Sequence, residues 1–384
     1  MSNLTKKKIY SQDGVDVEEE ASFSSFAGSV CRASYKNSPF IEVHDLSKGN
    51  FRGPRPFTFK NLPKGYFIEA STDGIGTKGI LIDAAKTHHL AAYDIIAMTA
   101  SDITRFGGIP IAFINVFDTT SIGNEGDEVS KIYKSAIEGL GKVAKENKIV
   151  ILKGETAQMG DAIGSEIKNS QTKLNWSGTI IGAYHKDKMI TGEKLAVGQV
   201  IIALKENGFR CNGISSARKA LKEKFGKEWW KNPKAKESVK LAAAPSMLYD
   251  MYVNTLHGWF NKNFKPEITI YSIAHLSGGA FKEKLAKDIL FPKKLSAELF
   301  DLWEPPKIMR QCAEWRKIGD EEFYEVWHGG QGMLLIIEEK DADYCIKRAK
   351  DFGIEAKVAG KITKEKIPQV SINSKLTPGK IIII

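Results

Sequence analysis

The chain has 384 residues, 42% of them hydrophobic and 27% charged, with a formal net charge of +10. That is the composition of an ordinary folded protein, and at about 150 residues per domain its length points to two domains. No apolar run approaches the roughly 18 residues a membrane span needs, and the first residues lack the apolar stretch of a signal peptide, so a cytoplasmic location without membrane attachment is expected.

Taken in chain order, strand-like runs at 66–70, 110–117, 149–153 and 178–184 alternate with amphipathic helical stretches at 90–106 and 128–146, where apolar residues recur every three or four positions. A second series begins with a strand at 200–204 and continues with strands at 267–273, 333–338, 356–361 and 369–372. Helices are expected at 213–225, 246–260 and 342–352. This is the pattern of an α/β or mixed α+β protein. The boundary is expected near 186–197, giving domains of 1–190 and 191–384. The apolar end, 381–384, suits either a short strand or packing against a partner chain.

The four cysteines, Cys31, Cys211, Cys312 and Cys345, include no C-x-x-C pair, which argues for reduced thiols and against a zinc site or disulfide framework. The basic stretch 218–240 is broken by Glu223, Glu228 and Glu237, and so reads as a solvated helical face and not as a track for nucleic acid. Trp229 and Trp230 within it are assigned to packing ahead of base stacking.

The most informative segment is Ser71-Thr72-Asp73-Gly74-Ile75-Gly76-Thr77-Lys78, directly after a predicted strand. Its glycines let backbone N–H groups approach an anion, Asp73 can bind a divalent cation, and Lys78 can meet a phosphate. Gly74, Gly76 and Gly79 also satisfy G-x-G-x-x-G, but a carboxylate just before the first glycine repels a bare pyrophosphate while welcoming a magnesium-bound triphosphate. No Walker-type G-x-x-x-x-G-K-[ST] occurs. The bland alternative is a glycine turn with a surface lysine.

Further carboxylates follow at Asp94, Asp102, Asp118 and Glu155. Asp94 and Asp102, eight residues apart, fall about 80° apart around one helix, so both can face one cleft. Magnesium suits such a set because it joins a few carboxylates to substrate phosphates. Asp94, among apolar neighbours, needs a partner if buried. Glu155 and Thr156 lie in Lys153-Gly154-Glu155-Thr156-Ala157, expected to end a strand in a polar loop. The loop from Glu206 to Gly213 would place Arg210 and amide donors against a phosphate, or form a turn capped by asparagine. His275-Leu276-Ser277-Gly278-Gly279 and Trp327-His328-Gly329-Gly330 look like anion-friendly turns, although a lone histidine is more often structural. No Ser/His/Asp or Cys/His constellation can be assembled, so covalent catalysis is not expected.

Together and in this order these segments resemble the aminoimidazole ribonucleotide synthetases, also called phosphoribosylformylglycinamidine cyclo-ligases. The opening Tyr10-Ser11-Gln12-Asp13-Gly14-Val15-Asp16 is similar to the family's Y-x-x-x-G-V-D, and Ser71 to Lys78 to its S-T-D-G-V-G-T-K. Asp94 to Met98 resembles D-L-V-A-M, Ser101-Asp102 resembles N-D, Gly154 to Ala157 matches G-E-T-A, Asn212-Gly213 ends H-S-N-G, and Ile273 to Phe281 resembles I-A-H-L-T-G-G-G-F. The resemblance implies an N-terminal domain whose mixed sheet pairs across a homodimer into a barrel, a C-terminal α/β domain, and ATP with magnesium acting on a phosphorylated ribonucleotide. It implies Asp73, Lys78 and Asp102 as the ATP–magnesium residues, Asp73, Asp102 and Glu155 as metal ligands, and Ser71, Thr72, Gly74, Gly76, Thr77, Asp94 and Thr156 as further nucleotide contacts. Arg210, Asn212, Gly213, His275, Ser277, Gly278 and Gly279 fall to the substrate. The chain departs from the family at His89, where an acidic residue is usual, at Lys153 for glycine, at Gln158 for glutamate, and at Arg210 for histidine. Relatives that keep the ATP site with a different acceptor, and a nucleotide-binding protein without turnover, are the competing readings.

Overall fold

A computed structural model describes residues 17–47, 53–124 and 126–384, so the opening motif from Tyr10 to Asp16 lies outside the described residues. The chain forms two compact units: Met1–Leu62 with Thr72–Ile95 and Ile111–Ile180, and Pro63–Ser71 with Ile96–Pro110 and Ile181–Ile384. No single cut separates them, because strands and a helix pass from one to the other.

The first part of the chain supplies α1 (Val17–Ser34), the antiparallel pair β1 (Ile41–Val43) and β2 (Phe57–Phe59), then β3 (Tyr66–Gly74), α2 (Lys78–Ala85), α3 (Ala91–Thr104), β4 (Ile109–Thr119), α4 (Glu128–Glu146), β5 (Val150–Gln158) and β6 (Leu174–His185). The last four strands named β3 to β6 form one sheet in the order β3-β6-β4-β5, with β4 and β5 parallel. Alternation sorts the residues of β4: Phe113, Asn115 and Phe117 are buried, while Ile114 and Val116 are exposed. Phe117 meets Tyr133 of α4 and Trp176 of β6 edge-on at 5.5 and 4.8 Å. The Trp176 indole N–H, buried with its ring, donates to Asn115 Oδ1 at 3.0 Å. The helical period expected at 128–146 is the one found, with Tyr133, Ala136, Ile137, Leu140, Val143 and Ala144 turned inward.

The second half supplies β7 (Val200–Lys205), α5 (Ile214–Phe225), α6 (Lys236–Ala242), α7 (Asp250–Leu256), β8 (Ile270–His275), a π-type helix Phe281–Leu290, β9 (Ser296–Leu299), α8 (Lys307–Arg316), α9 (Asp320–Val326), β10 (Gln331–Ile337), α10 (Ala342–Lys350), β11 (Ala356–Thr363), β12 (Val370–Asn373) and β13 (Ile381–Ile383). Seven strands form one sheet in the order β13-β12-β9-β11-β7-β10-β8, antiparallel except for β9 with β12. Every residue of β10 is buried, as suits a continuous apolar run in an inner strand. Met333, Leu335 and Ile337 pack with Ile202 and Leu204 of β7, Tyr252 and Val253 of α7, and Cys345 of α10. The apolar C-terminus adds a strand to β12, with Ile382 buried and Ile381 and Ile383 outward. Trp229 is fully buried and meets Trp230 edge-on at 5.5 Å, so its role is packing. The helix expected at 246–260 is shorter, Asp250–Leu256; past its end the chain turns at Gly258, whose φ of +92° no β-carbon tolerates well.

Asp250, at the start of α7, is buried, and its carboxylate oxygens have no well-formed hydrogen bond among the described residues. Burial pushes its pKa up to about 6, against the smaller pull of the Thr104 and Ser101 hydroxyls and of Arg210. A folded-state value above the unfolded one stabilises the fold at low pH, and that contribution is lost as pH rises from about 4 through about 6. Asp250→Asn is therefore expected to gain stability relative to the unsubstituted chain across this window, by about 3 kcal/mol at neutral pH. Parallel denaturant melts at pH 4 and pH 7 measure this; an equal difference at both would contradict it.

Candidate functional site

The structure extends β3 through Gly74, so Ser71, Thr72, Asp73 and Gly74 belong to the strand and the turn proper is Ile75 to Thr77. Thr72 Oγ1 meets Thr179 Oγ1 of β6 at 2.8 Å, and the Ile75 N–H donates to Trp176 O at 3.0 Å; these bonds accompany a strand that runs on to Gly74, past the expected 66–70. Gly76 takes φ +52°, with open space where a β-carbon would stand. Gly76 and Thr77 are exposed at the start of α2. Asp73 Oδ1 accepts the Gly74 N–H at 2.7 Å. Lys78 turns inward: its Nζ lies 2.6 Å from Asp94 Oδ1, and both side chains are buried. Asp94 thus has the partner that its apolar neighbours require, and both charges are held out of water.

On β5 the segment Lys153 to Ala157 is strand and not loop, because its backbone continues the parallel pairing from Asn115↔Gly154 to Thr119↔Gln158. Glu155 is exposed and Thr156 half-buried. Both line a cavity of about 280 Å³ with Lys153, Gly154, Asn115 and Cys31. Gln158 Oε1 accepts the Ile122 N–H at 3.1 Å, and Asp118 accepts from Asn175 at 2.9 Å, so each has a structural partner.

The second unit brings Ser71, Asp102, Arg210, Asn212, His275 and Gly278 together. Asp102, on α3, has a side chain 35% exposed, with Arg105 Nε at 3.6 Å and His275 Nδ1 at 3.9 Å from Oδ1, and Ser71 Oγ at 3.4 Å from Oδ2. Burial works against its charge, but His275, Arg105 and Lys284 outweigh it and hold the carboxyl below its usual range. His275, at the end of β8, is buried, and that burial pushes its pKa down to about 4, so the ring is neutral near pH 7. Asn212 Oδ1 stands beside Gly278, and its Nδ2 approaches Met98 Sδ at 3.9 Å. The cap of α5 is Gly213, φ +67°, with no side-chain cap from an asparagine. Ser277 is half-buried and Gly279 takes φ +79° in the tight turn that follows. His328 is structural, its Nδ1 accepting the Gly330 N–H at 3.2 Å.

Arg210 corrects a sequence expectation. It does not face outward to a phosphate; it is fully buried, with Nη1 2.8 Å from Glu206 Oε2 and 3.1 Å from Met247 O, and Nη2 3.0 Å from His275 Nε2. Sequence reasoning gave Glu206 no role, although its i,i+4 spacing to Arg210 was a visible sign of pairing.

Among the described residues no three His, Cys, Asp or Glu side chains group to hold a metal ion. The donors nevertheless fit magnesium in kind: the hard oxygens of Asp102 are ionised and partly open, and magnesium commonly takes only one or two carboxylates, completing its shell with phosphate oxygens and water. No helix among the described residues is long and apolar enough to cross a membrane.

Residues 59–183 match the family model for the AIR synthase related protein N-terminal domain, and residues 196–373 match that for its C-terminal domain. A phosphoribosylformylglycinamidine cyclo-ligase of Methanocaldococcus jannaschii is 28% identical over 319 residues, 83% of this chain and 83% of its own. One from Methanobrevibacter smithii is 29% identical, covering 93% of this chain and 95% of its own. The fold matches that of the hydrogenase maturation protein HypE, solved in complex with ATP, with a TM-score of 0.53 at 14% identity over 84% of this chain and 86% of that one. Two consecutive domain models in the family's own order, with relatives aligned along nearly their whole length, place this chain in the AIR synthase related family.

Proposed function

We propose that the protein catalyses the ATP-dependent ring closure of formylglycinamidine ribonucleotide to aminoimidazole ribonucleotide, releasing ADP and phosphate, a step of purine biosynthesis. The observation that carries this reading is the meeting of Ser71, Asp102, His275, Asn212 and Gly278, drawn from four separated stretches that resemble the family's motifs, in a chain whose relatives bear that activity's name along most of their length. In the reaction the formyl amide oxygen becomes a phosphate leaving group and the neighbouring amidine nitrogen displaces it. Little covalent participation by the protein is needed; its tasks are positioning and charge compensation.

In this reading Asp73, Asp102 and Glu155 are each proposed as a carboxylate for magnesium–ATP, although among the described residues no three such side chains group around one ion; magnesium when bound would neutralise the triphosphate. Gly74, Gly76 and Thr77 offer backbone to the phosphates, while Thr72 and Thr156 flank them. The buried Lys78–Asp94 pair fixes the first turn of α2 beneath that turn. Asn212, Gly213, Ser277, Gly278 and Gly279 border the ribonucleotide. Along the sequence the domains are proposed to divide as 1–190, for nucleotide and dimer contacts, and 191–384, although 63–71 and 96–110 belong to the same compact unit as the later residues; the enzyme works in the cytoplasm. A homodimer is supported by β3, an edge strand with Tyr66, Phe67 and Ile68 all exposed, and by the outward Ile114 and Val116 of β4.

Supplying formylglycinamidine ribonucleotide with magnesium and ATP should release one phosphate per ring closed. A folded protein that gives none with this substrate, but gives ADP with another acceptor, would reassign it within the family. Asp73→Asn is expected to weaken magnesium–ATP binding at least tenfold with an unchanged melting curve; calorimetry reading equal affinity would remove Asp73 from the site. Sedimentation should return twice the 42.5 kDa chain mass, and Phe67→Glu should shift it toward one chain. A monomer before substitution would refute the dimer.

A further inference from the structure

Arg210 sits in the left-handed region at φ +54°, a conformation that costs a non-glycine residue about 1 kcal/mol or more. Its guanidinium compensates. Besides Glu206, Met247 O and His275, it reaches Ala97 O at 3.4 Å. Glu206 is itself fixed, accepting the backbone N–H of Asn207 at 2.9 Å, that of Met247 at 3.2 Å and the Tyr249 hydroxyl at 3.3 Å. These contacts leave Arg210 one orientation.

A guanidinium only donates and does not lose its proton. The imidazole nitrogen facing it, Nε2 of His275 at 3.0 Å, must therefore be the acceptor. A neutral ring has one N–H, so that proton resides on Nδ1, the nitrogen 3.9 Å from Asp102 Oδ1. Among the described residues Asp102 is thus met by donors: the imidazole N–H, Arg105 and the Ser71 hydroxyl.

We propose that Arg210 is a positioning residue that, anchored by Glu206, sets the tautomer of His275 and through it the orientation in which Asp102 offers its oxygens to a metal-complexed phosphate. The proposal rests on the reading of Asp102 as a magnesium–ATP residue. It also accounts for arginine where the family resemblance has histidine: a histidine here could accept as well as donate, while arginine leaves only one arrangement of protons along the row. Partners of this kind behind a metal ligand commonly change metal affinity 10–100-fold when removed.

The test pairs a spectroscopic signature with kinetics on the full chain. Long-range proton–nitrogen correlation spectra at pH 7.5, with His275 assigned by its loss in His275→Asn, should show the proton on Nδ1. In Arg210→Met it should move at least partly to Nε2, and in Arg210→Lys, which still donates, it should stay. KM for magnesium–ATP should rise on the order of tenfold in Arg210→Met, with kcat changed far less, and recover in part in Arg210→Lys. If Arg210→Met alone fails to fold because Glu206 is left charged and buried, Glu206→Gln with Arg210→Met removes both charges and carries the same expectations. A proton on Nε2 in the unsubstituted protein overturns the proposal, as does an unmoved KM in Arg210→Met while Asp102→Asn raises it. Unchanged magnesium–ATP affinity in Asp102→Asn would instead defeat the reading of Asp102 beneath it.

Discussion

A charge taken wholly out of water must find its counter-charge and hydrogen bonds inside the protein, and two such pairs organise this molecule. Lys78 with Asp94 ties the first turn of α2 to α3, and Arg210 with Glu206 ties the loop after β7 to itself and to the end of β8. Each pair stands beside a turn with a positive-φ residue, Gly76 in one case and Arg210 in the other. The ion pairs determine where those turns are held. Because the partners are buried, the pairs are also insensitive to the salt that screens the many lysine–carboxylate contacts on the surface.

Much of the architecture was legible in the sequence wherever one periodicity dominated. The helix α4 follows the three-and-four spacing of its apolar residues, and β10 follows an uninterrupted apolar run. Misread segments share a cause. At Ser71 to Gly74 and at Glu155 to Gln158, polar side chains sit in strands because the neighbouring backbone supplies the pairing, and composition alone suggests a loop there. The short strands β1, β2 and β9 carry too few residues to display a period.

The site was legible as motifs but not as contacts. The residue types around Asp102 could be gathered by their resemblance to a family, but the inward turn of Arg210 could not, since an arginine in a glycine-bearing loop reads as a ligand for anions. What distinguishes the two is Glu206, four residues earlier. Its meaning depends on Tyr249 and Met247, some forty residues further on, which close the pocket that removes it from solvent.

The division of the chain also bears on how the protein is made. Stretches 63–71 and 96–110 leave the ribosome well before residues 181–384, yet they belong to the same compact unit as that later stretch. Synthesis therefore cannot finish the unit in passing: residues 66–71 of β3 and the second half of α3 complete their packing after a long later segment has emerged.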